Sequence, residues 1–245
     1  MQRYFVKEKF DNTFCLSKDD SYHIVTVMRM NISDKIEVVY DSECYVCKII
    51  SLDDLVKCEI VSKIDSIDNN MPKVFIAQAL VKEQKMDYIL QKCCELGVSG
   101  IIPVSTERSI VNLDGKIDKK ILRWNKVLKE ASEQSKRVDI PVINDVLTLK
   151  KIVDLDFDYK IICSVNEKSK SIKSVLSKID NSATILFVIG PEGGLSLSEE
   201  NYLIDNGFIP VTFGSFVLRT ETASVYALSA VNYEFLRWFY ERTIK

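Results

Sequence analysis

Two short stretches near the C-terminal end hold the residue types and spacing that chemistry needs. The first, Gly190-Pro191-Glu192-Gly193-Gly194, follows the apolar run Ile185-Leu186-Phe187-Val188-Ile189. Three glycines and a proline in five residues let the backbone turn sharply and bring N–H and C=O groups against a ligand without an intervening Cβ. The second follows Val211-Thr212-Phe213-Gly214 and runs Phe216-Val217-Leu218-Arg219-Thr220-Glu221-Thr222-Ala223. Thr220 suits a helix N-cap and Glu221 suits the positive end of the helix dipole, which leaves Arg219 unexplained by helix chemistry. An arginine beside two glycine loops is suited to clamp a carboxylate or phosphate bidentately. Neither stretch is a dinucleotide fingerprint or a P-loop, because Gly-x-Gly-x-x-Gly is absent and no Gly-Lys-Ser/Thr follows. A pyrophosphate would meet Glu192 unfavourably, so a cationic or neutral ligand suits the first loop better. An ordinary strand-to-helix turn and an ordinary capped helix are the plain alternatives.

Ligands of open α/β sheets bind beyond the carboxyl ends of the strands, so the elements before these loops matter. The pattern from about residue 71 alternates strands with helices. Val74–Leu80, Ile101–Val104, Tyr159–Cys163, Thr184–Ile189 and Ile209–Phe213 are short apolar runs bounded by turns. Met86, Ile89, Leu90, Cys93 and Leu96 recur at helical spacing, with Gly97 as the stop. A long helix is expected over about 118–136, with Ile121, Leu122, Leu128 and Ala131 inward. Ser196 with Glu199 forms a capping box, with Ser198 as a rival cap, and Gly207 ends that helix. The last helix begins near Thr220 and repeats Val225, Leu228, Val231, Phe235 and Trp238 on one face. This order predicts an α/β domain with a mostly parallel sheet.

The first 70 residues are β-rich. Residues 36–40 and 44–50 form a hairpin pattern across Asp41-Ser42-Glu43, and 55–61 alternates with period two. Residues 22–29 fit either a strand or a short helix. Several short strands in so few residues suggest a small barrel, and the polar stretch 65–72 suggests a linker. The expected division is therefore 1–70 and 71–245.

Composition narrows the function classes without choosing one. The chain is 47% hydrophobic and 28% charged, with neither low complexity nor an apolar run near the roughly 20 residues that span a bilayer. The first eight residues lack a signal-peptide core, and the seven cysteines are an odd number, so a reducing, cytoplasmic setting is expected. Cys44 and Cys47 have half the spacing of a zinc site, but no second pair follows and His23 is the single histidine, so no metal is expected. A net charge of −2 argues against nonspecific coating of nucleic acid and leaves room for a local basic patch.

The motifs together resemble one family. Gly190-Pro191-Glu192-Gly193-Gly194-Leu195-Ser196, Gly214 and Val217-Leu218-Arg219-Thr220-Glu221-Thr222-Ala223 are similar to the RsmE family of the SPOUT superfamily. The likeness extends over Met1–Val6, His23, Val27-Met28-Arg29, Lys82, Lys85, 92–98, Pro103, Glu107-Arg108-Ser109 and 130–137. It implies a methyltransferase acting on N3 of a uridine in bacterial 16S ribosomal RNA, with S-adenosylmethionine as methyl donor. It also implies an N-terminal PUA-like β-barrel, a C-terminal α/β domain tied in a deep trefoil knot, and a homodimer with the cofactor near the subunit interface. General topology rules predict no knot. The sequence departs from the family at Phe216, where arginine is usual, and at Ser33 and Lys136, where glycine is usual.

By this resemblance the cofactor site comprises Gly190, Pro191, Glu192, Gly193, Gly194, Phe213, Gly214, Leu218, Arg219, Thr220 and Ala223. Arg219 is the candidate essential side chain, for positioning or anion stabilisation, and no catalytic base is named. Candidate RNA contacts are Arg3, Arg29, Lys82, Arg108, Lys136 and Arg137, against the plain reading of a solvated, lysine-rich face. Other readings stay open: methylation of a different RNA position, a ribosome-assembly binding protein without catalysis, and, more distantly, a nicotinamide enzyme.

Overall fold

The computed structural model describes residues 1–65, 70–109 and 117–243, the side chains of 237–243 excepted. In chain order the elements begin with β1 (Arg3–Phe5), β2 (Lys9–Phe10), β3 (Thr13–Cys15) and α1 (Lys18–Tyr22), the last running into a π-helical turn over His23–Val27. Then come β4 (Lys35–Tyr40), β5 (Glu43–Ser51), β6 (Lys57–Ile64), β7 (Lys73–Ala79), α2 (Glu83–Glu95), β8 (Gly100–Ser105) and α3 (Ile117–Gln134). The chain continues through β9 (Val142–Ile143), β10 (Leu147–Thr148), α4 (Leu149–Val153), β11 (Tyr159–Cys163) and α5 (Ile172–Leu176). It ends with β12 (Thr184–Ile189), α6 (Leu197–Asp205), β13 (Ile209–Val211) and α7 (Thr220–Thr243). Two compact units result: 1–68 with 129–140, and 69–128 with 141–245.

The first unit is a six-stranded mixed sheet in the order β1-β4-β5-β6-β3-β2. The expected hairpin is present, with β4 antiparallel to β5 and the turn residues Asp41 and Ser42 both at positive φ. The strand path is open, since β1 and β2 end it without pairing to each other, so the hydrogen-bonded ring of a closed barrel is not completed among the described residues. Of residues 22–29, for which strand and helix were both possible, 22–27 are helical. Tyr4, Phe14, Leu16, Ile24, Ile36 and Ile49 fill the core. The segment 129–140 belongs to this unit although it lies far along the chain. Its attachment is polar: Arg3 donates to the carbonyls of Lys136 and Arg137, and Lys129 pairs with Asp20 at 2.5 Å.

The second unit is built on an all-parallel sheet whose main path is β10-β8-β7-β12-β11-β13. Central strands read as continuous apolar runs because both faces are covered. On α3, Trp124 and Leu128 are buried while Leu122 is 71% exposed, which corrects its expected inward place. Trp124, Leu128 and Ala131 lie at i, i+4 and i+7, and Leu122 falls two residues, about 200° of helix rotation, from that face. On α7, Leu228, Val231 and Phe235 are buried as expected, and the Trp238 side chain lies outside the described residues. The linker expected over 65–72 also lies partly outside them.

Candidate functional site

The carboxyl ends of β12, β11 and β13 open on one cavity. It is bounded by the glycine loop after β12, the loop 212–218 after β13, and residues 163–165 at the end of β11. β12 and β11 pair directly, and β13 pairs with the other edge of β11, so three consecutive strand ends meet at this point. The lining mixes apolar side chains, Ile162, Ile189, Leu218 and Ala223 among them, with polar ones such as Ser164, Lys168, Glu200 and Thr212.

Glycine is required at two positions here. A Cβ on Gly190 would stand 2.9 Å from the Leu195 nitrogen, so the loop could not fold back on itself with any other residue. Gly214 has φ +118°, a conformation that side chains strain. The far side of the glycine loop is fixed by the predicted capping box: Ser196 Oγ accepts from the Glu199 amide and the Glu199 carboxylate accepts from the Ser196 amide at 2.9 Å. Ser198 serves as a neighbour of the cap, its hydroxyl 2.8 Å from that of Ser196.

A buried hydrogen-bond chain ties the two loops to the central sheet. Gln78, fully buried on β7, donates to Thr220 Oγ1 at 2.9 Å and accepts from Ser224 Oγ at 2.6 Å. Thr220 in turn donates to the Gly190 carbonyl at 2.7 Å. Thr220 is the first residue of α7, and its hydroxyl is spent on joining α7, β7 and the glycine loop rather than on the helix cap expected of it. Buried polar groups with every partner present specify one arrangement. Gln78 had no signal in the sequence beyond being the single amide in an apolar strand.

Lys85, in the first turns of α2, lies 3.2 Å from Glu192 and 3.6 Å from Glu221. One ammonium therefore lies between a carboxylate of the glycine loop and one in the first turn of α7, giving both glutamates an ionic partner. Arg219 is exposed and, among the described residues, its guanidinium makes no hydrogen bond or ion pair. Of the expected cofactor residues, Gly190, Pro191, Gly194, Phe213, Gly214, Leu218, Thr220 and Ala223 line the cavity; Glu192, Gly193 and Arg219 do not. Residues that sequence reading missed include Ser164 and Glu200, whose buried carboxylate also accepts from Asn166 at 2.8 Å. Phe216, the departure from the family pattern, is 84% exposed, and nothing in the structure explains the replacement.

The expected RNA contacts separate by burial. Arg3 is 6% exposed, with its guanidinium on Glu37 and two carbonyls, so it is corrected from surface cation to internal clamp. Lys136 bonds the Met1 carbonyl and Glu37, and Arg137 pairs with Asp139 at 2.7 Å. Burial works against ionisation of Glu37, but the hydrogen bonds from Lys136 and Arg3 outweigh it and hold the carboxyl below its usual range. Arg29 and Lys82 are exposed and, among the described residues, have no side-chain partner. Arg108 is exposed too, but donates to Gly193 and Leu195 of the glycine loop. His23, half-buried in the first unit, is held at Nδ1 by the Tyr4 hydroxyl at 3.0 Å. Among the described residues no group of His, Cys, Asp or Glu is placed to hold a metal, and no helix is long and apolar enough to cross a membrane.

A small β unit and a parallel α/β unit with a strand-end cavity define a two-domain α/β protein with a ligand-sized cleft, and the comparisons give it a family. The RNA methyltransferase domain model matches residues 68–232, and the RNA methyltransferase PUA domain model matches 16–61. Ribosomal RNA small subunit methyltransferase E of Bacillus subtilis is 36% identical, over 96% of this chain and 97% of that one. The corresponding protein of Mesomycoplasma hyopneumoniae is 31% identical, over 94% and 98%. A crystal structure of the Neisseria gonorrhoeae methyltransferase E bound to S-adenosyl methionine superposes with a TM-score of 0.84 at 30% identity, covering 95% of this chain and 97% of that one. The chain belongs to the RsmE family of RNA methyltransferases.

Proposed function

We propose that this protein transfers the methyl group of S-adenosylmethionine to N3 of a uridine in 16S ribosomal RNA. The observation that carries the reading is the convergence of the 190–195 and 212–218 loops on one cavity, cross-tied by Thr220 and Gln78. The donor set fits the cofactor: apolar walls suit an adenine ring, and backbone carbonyls without an excess of cationic side chains suit a sulfonium. Gly190, Pro191, Gly194, Phe213, Gly214, Leu218, Thr220 and Ala223 would hold it, and when bound it supplies an electrophilic methyl group. The protein's own contribution is mainly alignment, since holding two reactants in register accounts for several kcal/mol of barrier. N3 of uridine normally takes part in pairing, so the target base must be splayed out of its helix. Arg219, exposed and unpartnered among the described residues, would stabilise the negative charge that develops on the uracil oxygens as N3 loses its proton.

On this reading the first unit and the cations Arg29 and Lys82 meet RNA phosphates, sequence being read by base contacts elsewhere. The C-terminal α/β unit is of SPOUT type, with the chain after β13 threaded into a trefoil knot; the pinning of Thr220 to both Gln78 and Gly190 supports such a threading. The protein acts as a homodimer in the cytoplasm, the site of ribosome assembly. Exposed Tyr226, Tyr233 and Leu236 on α7 support a paired face.

The test is nucleoside analysis of small-subunit RNA by mass spectrometry from cells with and without the gene. Loss of one 3-methyluridine in the deletion, restored by the wild-type gene, is expected. Unchanged 3-methyluridine would overturn the assignment, and loss of a different methylated nucleoside would move it to another RNA position.

A further inference from the structure

The turn that follows β8 reaches across to the glycine loop although β8 and β12 are not neighbours in the sheet. Thr106 and Ser109 close the turn on itself, their hydroxyls 2.8 Å apart and the Ser109 amide donating to the Thr106 carbonyl at 3.1 Å. The two residues between them both point to the loop. Arg108 Nη1 donates to the Gly193 carbonyl at 2.8 Å and to the Leu195 carbonyl at 3.3 Å. The Glu107 amide donates to Glu199 Oε1 at 2.7 Å, while Glu199 Oε2 accepts from the Ser196 amide. The aliphatic part of Arg108 also lies over Gly193, where an added Cβ would stand 3.4 Å from Arg108 Cδ.

With the Thr220 bond to Gly190 and the Gly194 amide on Pro191, the carbonyls of Gly190, Pro191, Gly193 and Leu195 are all engaged. A pinned carbonyl fixes its peptide plane, because the peptide unit is rigid. Two of the four planes are fixed by one side chain from a distant strand end. A glycine-rich loop without such ties would lose much conformational freedom on binding, which lowers affinity. Resting on the cofactor placement proposed above, we infer that Arg108 is a positioning residue for the cofactor: it holds the 193–195 backbone in its binding conformation before the ligand arrives. This differs from the phosphate contact that the arginine's type and exposure suggest.

The experiment uses the full chain with Arg108→Ala and Arg108→Lys, titrated with S-adenosylmethionine by calorimetry and with a small-subunit RNA fragment at several salt concentrations. Arg108→Ala is expected to weaken S-adenosylmethionine binding about tenfold, as loss of a charge-assisted bond does. Lysine, a point charge with no fork, is expected to recover part of that loss. The KM for S-adenosylmethionine should rise in parallel while the KM for RNA stays within about twofold, and amide exchange at Gly194 and Leu195 should quicken in the unliganded variant. Unchanged cofactor affinity with weaker RNA binding and a shallower salt slope would overturn the inference in favour of a phosphate contact. If both variants lose cofactor binding together with cooperative melting, the role is structural and the inference also falls. Absence of binding by the wild-type chain would instead defeat the cofactor assignment itself.

Discussion

Thr220 shows how one hydroxyl serves two loops. It accepts from buried Gln78 and donates to Gly190, so Thr220→Val should leave both partners short of a bond. An unsatisfied buried polar group costs about 1–3 kcal/mol. A loss of that size in denaturant unfolding, together with weaker S-adenosylmethionine binding, is the expected outcome; an unchanged midpoint would show that the chain of bonds contributes little. Arg219 is the opposite case, exposed and outside the cavity lining. Arg219→Ala should lower kcat about 100-fold, as removal of a charge-stabilising donor does, with cofactor affinity nearly unchanged in a calorimetric titration. Ser33 and Lys136, which stand where glycine is usual, have φ of 81° and 61°. Ser33→Gly should therefore stabilise the first unit by about 0.5–1 kcal/mol, measured by chemical denaturation. Residue type alone misled at Arg3, because a cation near a terminus carries no mark of the carboxylate and carbonyls that will surround it. The glycine positions were legible, because few backbone conformations demand them.

Among the elements, the C-terminal part of α3 carries the least expected group. Glu133, 9% exposed, sits near Lys129, Asp20 and Glu130, in the unit that also buries Tyr4. Burial pushes its carboxyl up to about 7, helped by Asp20 and opposed by Lys129. Its folded pKa is thus above the ordinary 4.5, so between about 4.5 and 7 the folded state binds more protons than the unfolded one. Stability from this group is present below that window and is lost as pH rises through it. Glu133→Gln, which mimics the protonated form, should melt progressively higher relative to wild type as pH goes from 5 to 8. A melting difference independent of pH would contradict the account. The helices α2, α3 and α7 were legible through their period and α6 through its capping box, since these depend on neighbours in sequence, whereas the five-residue helices α4 and α5 carried no such signal. Leu122 was misplaced because apolar type and near-helical spacing do not fix a helix face to within one residue. The distant partners of α3 were illegible for a different reason: residues 129–140 bond to Arg3, Asp20 and Glu37, 99 to 134 positions away, and no local pattern encodes that pairing.

At the scale of the whole molecule, the strand order β10-β8-β7-β12-β11-β13 brings together loops that the sequence keeps well apart. Alternating strands and helices predicted a parallel sheet but not its order, which depends on crossovers rather than on any residue pattern. That order explains why the residues after β11 join the cavity and why Arg108, after β8, can reach a loop after β12. It also explains why the two conspicuous motifs form one site: β12 and β13 both flank β11. The central claim is that this site moves a methyl group from S-adenosylmethionine to small-subunit RNA. Its most direct test is transfer of labelled methyl, by the purified chain, to small ribosomal subunits from cells lacking the protein. Labelled 3-methyluridine with the wild-type chain, and almost none with Arg219→Ala, is the predicted result. A folded wild-type chain that binds both ligands yet incorporates no label would contradict it, leaving an RNA-binding protein without catalysis.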